Sequence, residues 1–159
     1  MSSGNEEMRL AKPFLSATVN VLKSMAATEL KYGTIDSSKN SLASRELCCL
    51  VGFSSDTLKG CFIMSFSKAA ICGVVERMLM QKPSDIDNEV RETLAEIASM
   101  IVTGAKAGLG DDAKNFVHLA PILITGSSST IDSISGGISL VVPFISQDGG
   151  FELGFKFAQ

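Results

Sequence analysis

The 159-residue chain is predicted to be an α+β domain, with helices packed on an antiparallel β-sheet. Three observations carry that prediction. Apolar residues recur at helical spacing in three separate segments. Short runs rich in β-branched and aromatic residues come in pairs joined by turn residues. The resulting order is helix, two strands, helix, long helix, three strands, which fits helices laid on an antiparallel sheet. Each half begins with a helix followed by a hairpin, which suggests an internal pseudo-repeat.

The first helix is predicted over "KPFLSATVNVLKSMAATEL", Lys12 to Leu30, with Pro13 in its first turn. Its apolar positions are Phe14, Ala17, Val21 and Met25, or alternatively Leu15, Val19, Leu22 and Ala26. "KYGTIDSSKNS" reads as a polar loop or a weak edge strand. "ELCCLVGF" and "LKGCFIMSF" read as strands, with "SSDT" as their hairpin connection. Ser67 is a candidate cap for a second helix, with Ala70, Cys72, Val75, Met78 and Leu79 mostly on one side, and "KPSD" breaks it. Asp85 or Asp87 can cap the long helix Glu89 to Leu109, and "GLGDD" ends it with glycines that accept left-handed geometry. "FVHLAPILITG" is a strand region interrupted by Pro121. "GGISLVVPFIS" and "GFELGFKF" are two more strands, joined by "QDGG" in a tight turn. "GSSST" at Gly126 to Thr130 reads as a loop, because no GK[ST] opens a helix after it. Residues 1–159 form one domain, with 1–8 expected as a flexible tail.

Composition narrows the function classes. With 45% hydrophobic and 19% charged residues, the chain can bury roughly 70% of its unfolded surface, which excludes wholesale disorder. A net charge of −3 argues against nucleic acid, which requires clustered cations. No run approaches the roughly 18 apolar residues of a membrane span, and the N-terminal residues lack the apolar core of a signal peptide. A cytoplasmic protein is expected. Cys48, Cys49, Cys61 and Cys72 form no CxxC pair. Adjacent Cys48 and Cys49 are expected on opposite faces of a strand, as reduced thiols acting as small hydrophobes. His118 has no acidic or Cys partner at ligand spacing, so no metal site is expected. His118, Lys59 and Lys114 read as surface residues, Asp111 and Asp112 as solvated, and the methionines, Met64, Met78 and Met80 among them, as core filler.

The long helix is the informative element. At 100° per residue, Val90, Leu94, Ile97, Ala98, Ile101 and Ala105 share one face. Glu92, Ser99 and Thr103 fall within about 60° of Glu96 on the other, and Met100 stands at the edge of that polar row. Spacing alone leaves two readings open: the wet side of an ordinary amphipathic helix, or a working surface. No histidine or lysine stands at a distance in sequence that would make a nucleophile and its base.

These residues resemble the CheC/CheX family of chemotaxis phosphatases, and CheX more closely. The resemblance lies in "ETLAEIASMIVTGAKAGL" followed by "LAPILITG", in the opening "MRLAKPFLSATVNVLKSMAATELKYG" and in "LKGCFIMSFSKAAICGVVERML". Glu96 stands at the family's Glu, Gly104 at its glycine and Pro121 at its proline. Ser99 occupies the place of the family's Asn, and Ala105 that of an Asn that often follows the glycine. Asn20 lies in the opening helix with no Glu three residues before it, which is similar to a one-site CheX rather than a two-site CheC.

The resemblance implies a CheC-like fold and a partner, a phosphorylated CheY-like response regulator. The substrate is the aspartyl phosphate of that receiver domain, which also holds the Mg2+, and the protein carries no cofactor of its own. In the family the Asn amide orients the attacking water and the Glu pairs with a receiver lysine. Glu96 and Ser99 are therefore the catalytic candidates, with Glu92, Met100 and Thr103 as the docking stripe. A homodimer through a sheet edge is also implied, and "GGISLVVPFIS" is apolar enough to need cover. The alternative is a non-catalytic receiver-binding or dimeric assembly module of the same fold, which the missing Asn suits.

Overall fold

A computed structural model describes residues 3–33, 46–125 and 138–158. Its elements are α1 (Ser3–Ala26), β1 (Lys31–Tyr32), β2 (Leu47–Ser54), β3 (Lys59–Phe66), α2 (Lys68–Leu79), α3 (Asn88–Gly108), a 3-10 turn (Gly110–Ala113), β4 (Val117–His118), β5 (Ile122–Ile124), β6 (Leu140–Ser146) and β7 (Gly149–Ala158). The loop expected at Gly126 to Thr130 lies outside the described residues.

Every described strand pairs antiparallel in one sheet of order β1-β6-β7-β3-β2-β4, with β5 also on β2. The α+β prediction holds. The hairpins β2–β3 and β6–β7, one from each half, meet along β3 and β7, from Lys59↔Ala158 to Phe66↔Phe151. That junction is what an internal pseudo-repeat produces. Pro121, which has no N–H to donate, separates β4 from β5 at the edge of the sheet, where a proline is tolerated.

Period-two alternation sorts the strands into two faces. Cys49, Val51, Phe53, Phe62, Met64, Phe66, Val142, Phe144, Phe151, Leu153 and Phe155 join the helices in one core, whereas Cys48, Leu50, Ile63 and Val141 form a cluster on the other face. The adjacent cysteines therefore point to opposite faces, as expected. Burial pushes the Cys49 thiol up to about 12, with the Cys48 beside it adding to the shift. Phe14 fastens α1 to the sheet: its ring centroid lies 5.1 Å from that of Phe53, 5.5 Å from Phe62 and 5.6 Å from Phe155.

The structure corrects four expectations. Residues 3–8, expected as a tail, are the first turns of α1. Met8 packs against the core, and Glu6 pairs with Arg9 three residues on, so the helix has both an apolar and a charged reason to extend. Pro13 consequently sits inside the helix rather than in its first turn, with its ring against Gly108. Asp112, expected as solvated, accepts from Thr57 Oγ1 at 2.6 Å and lies 3.5 Å from Arg9 Nη1. It thereby links the turn after α3 to the β2–β3 loop and to α1. The methionines divide: Met64 is fully buried, but Met25 and Met80 are exposed, and so is Leu79.

Arg77 holds the far end of the helical layer. Its Nε donates to the Ala26 carbonyl at 2.9 Å, its Nη2 to Thr28 Oγ1 at 2.8 Å, and the guanidinium pairs with Asp148. It caps the open carbonyl end of α1 while anchoring the β6–β7 turn. Replacing it strands a half-buried carboxylate and a helix-terminal carbonyl together. Arg77→Ala is expected to lower stability by about 2 kcal/mol, read as a fall in the thermal midpoint; an unchanged midpoint would show that water replaces these contacts at no cost.

Candidate functional site

Helix α3 begins where its sequence allows. Asp87 is the cap: its Oδ1 accepts from the Val90 N–H at 3.0 Å. Asp85, the other candidate, instead accepts from the Ile86 N–H at 2.8 Å and pairs with Lys68 Nζ at 3.3 Å. The Ile86 N–H, followed by Lys68, lowers its carboxyl below the ordinary range. The helix ends at Gly108, and Gly110 takes the left-handed conformation at φ 60°, as the glycine-rich stop predicts.

The faces fall where the period places them. Val90, Leu94, Ile97, Ala98, Ile101 and Ala105 are buried, together with Thr93 and Val102. Glu92, Glu96 and Thr103 are exposed, Ser99 is half-buried, and half-buried Met100 packs against the core. The structure thus sets all five residues singled out from the sequence along one helix, four of them in a polar row with Met100 at its edge.

The row is also unengaged. Among the described residues no hydrogen bond or ion pair holds the side chains of Glu92, Glu96, Ser99 or Thr103. Serine and threonine inside helices often bond back to the carbonyl four residues earlier. Thr93 does so, to the Glu89 carbonyl at 2.8 Å, and Thr18 does so in α1, to the Phe14 carbonyl at 2.7 Å. Ser99 does not, so its hydroxyl keeps both its donor and its acceptor capacity. Glu92 and Glu96, one turn apart and with no ion pair among the described residues, repel each other slightly.

Rigidity comes from α1. A Cβ added at Gly104 would lie 3.3 Å from Ala17 Cβ, and one added at Gly108 would lie 3.0 Å from Pro13 Cβ. The glycines on α3 ascend as their partners on α1 descend, so the two helices run antiparallel in close contact. The sequence marked Gly104 without revealing that α1 is what it meets. A groove of about 460 Å³ above this contact is floored by Pro13, Ala17, Gly104 and Gly108 and rimmed by Arg9 and Lys12. Ser16 and Lys12 also line it, one turn apart on α1, with no hydrogen bond between them among the described residues. Among the described residues no group of three or more His, Cys, Asp or Glu is placed to hold a metal ion. His118 is exposed on β4 with Nδ1 3.2 Å from the Leu119 carbonyl oxygen.

Comparison with known proteins gives a consistent result. The family described as Chemotaxis phosphatase CheX matches residues 47–145, more than half of the chain. A chemotaxis protein CheX from Vibrio vulnificus is similar in structure, with a TM-score of 0.82 at 29% identity, covering 94% of this chain and 99% of that one. A CheC-like superfamily protein from Shewanella sp. PV-4 gives 0.81 at 29% identity and covers both chains fully. A CheX solved in complex with CheY, BeF3 and magnesium, from Borrelia burgdorferi, gives 0.77 at 23% identity, covering 93% and 97%. No curated protein matches the chain significantly.

The α1–α3 contact yields a direct check. Gly108→Leu drives a branched side chain into Pro13 and is expected to cost about 1–3 kcal/mol through overpacking, measured by denaturant unfolding. A stability equal to that of the unaltered chain would mean that the two helices are not held this closely.

Proposed function

The chain belongs to the CheX family of chemotaxis phosphatases, and on that premise we propose that it docks through α3 on the phosphorylated receiver domain of a CheY-like response regulator and promotes hydrolysis of its aspartyl phosphate. The observation that carries this reading is the unengaged polar row Glu92, Glu96, Ser99 and Thr103 on a helix whose other face is fully buried. The Borrelia relative solved with CheY, BeF3 and magnesium supports both the partner and the origin of the Mg2+, which belongs to the receiver. The reading places the protein in the cytoplasm with its partner, as a homodimer whose mass in solution tests that part separately. No described helix is long and apolar enough to cross a membrane.

The chemistry is mostly positioning. An acyl phosphate is opened by in-line attack of water on phosphorus, and a phosphatase of this kind contributes orientation and charge rather than a covalent intermediate. Glu96 pairs with a cation of the receiver and fixes the approach. Ser99, one turn further on, meets the water with a hydroxyl that both donates and accepts. Its side chain is one heavy atom shorter than asparagine and lacks the amide fork. Because a misplacement of about 1 Å costs on the order of 10²-fold, turnover is expected to be slow. The same shortfall favours a second reading, binding without turnover, in which the protein acts as a receiver-binding module.

Decay of phosphorylated receiver with and without the protein tests both. Restoring the amide in Ser99→Asn is expected to accelerate decay by about tenfold or more over the unaltered chain, and Glu96→Ala is expected to abolish acceleration by loss of docking. Phosphorylation-dependent binding with decay no faster than the receiver alone selects the binding module. Fast decay that survives Ser99→Ala refutes the assignment of Ser99.

A further inference from the structure

The groove between α1 and α3 carries the opposite charge to the row on α3. Lys12, Ser16 and Asn20 form its α1 wall, one turn apart and all exposed. Arg9 lines it too, but its guanidinium is already engaged by Glu6 and Asp112. Among the described residues Lys12 has no ion pair, and the side chains of Ser16 and Asn20 make no hydrogen bond. Ser24 on the same helix bonds back to the Asn20 carbonyl at 2.6 Å; Ser16 makes no such bond, so its hydroxyl can serve a partner. Among the described residues no carboxylate lines the groove. Gly104 and Gly108 leave its α3 side as bare backbone.

This groove borders the α3 row directly, because Gly104 follows Thr103 in the chain. A Cβ at Gly108 would meet the Pro13 ring, which sets the neighbouring Lys12 at the level of the last turn of α3. From Glu96 to Gly108 is about 18 Å along the helix axis. That is more than the screening length of about 8 Å at physiological salt, so the two charges act on a partner separately. A folded domain spans such a distance and a small ion does not. The row alone is also narrow for a domain, since even a transient protein–protein contact buries roughly 600 Å² on each partner. We infer that the phosphorylated receiver is held at two points of opposite sign: a cation of the receiver on Glu96, and an acidic segment of the same receiver lying in the groove with a carboxylate on Lys12 and hydrogen bonds to Ser16 and Asn20. This rests on the reading that α3 docks on a receiver. A single contact at Glu96 leaves the receiver free to swivel about it. The second contact fixes the angle at which the phosphate meets Ser99, and orientation is what this chemistry requires.

Calorimetric titration with receiver activated by BeF3 and magnesium reads binding without turnover. The unaltered chain is compared with Lys12→Glu, Glu96→Ala and a control, Lys59→Glu. The control makes the same charge change on the other face of the sheet, where Lys59 alternates with Cys61 and Ile63. Lys12→Glu is expected to raise Kd by about tenfold or more, with the thermal midpoint unchanged and the loss shrinking as salt is raised. Lys59→Glu is expected to leave Kd within about twofold. If Lys12→Glu binds as tightly as the unaltered chain, or Lys59→Glu weakens binding equally, while Glu96→Ala loses binding, the groove holds no acidic segment and docking through α3 stands without it. If the unaltered chain does not bind activated receiver at all, both fall.

Discussion

The close antiparallel contact between α1 and α3 is the constraint on which the rest depends. Gly104 and Gly108 present no side chain, so Ala17 and Pro13 approach the backbone of α3 directly. Phe14, on the same helix, reaches down among Phe53, Phe62 and Phe155. The two helices therefore settle on the sheet as one layer. The buried face of α3 is fixed by that layer and its outer row by default, because a helix with one face locked presents the other at a set angle. In the proposed docking this stiffness matters more than reactive groups, since error in position is what costs rate.

Much of this was legible in the amino-acid sequence. The 3.6-residue period separated the faces of α3, and its six predicted core residues are all buried. A cap at Asp85 or Asp87, a stop within the glycines after α3 and the opposite facing of Cys48 and Cys49 followed from local chemistry, and the structure selects Asp87 and Gly110. What escaped was tertiary. The start of α1 at Ser3 depends on Met8 meeting the core, and on Arg9 reaching Glu6 and an aspartate 103 residues away. Asp112 looked solvated because Thr57 and Arg9 are distant in sequence. The methionines were the instructive miss. Composition treats them as core filler, and for Met64 that is correct. Met25 lies on the helical spacing of Phe14 and Ala17, yet in the last turn of α1 it is half exposed.

In the proposed function, docking and chemistry fall to different residues. Glu96 is exposed, with no ion pair among the described residues, and in the proposed reading it supplies recognition. Ser99 sits one turn further on, half-buried, and in the same reading its hydroxyl takes the catalytic place with a shorter reach than an amide.

Backbone amide shifts mapped by nuclear magnetic resonance, on adding receiver activated by BeF3 and magnesium to the labelled protein, test the central claim most directly. The account predicts that the perturbed amides concentrate along the exposed side of α3 from Glu92 to Thr103, with the β4–β5 edge unmoved. Perturbation confined to that edge, or none at saturating receiver, would contradict it.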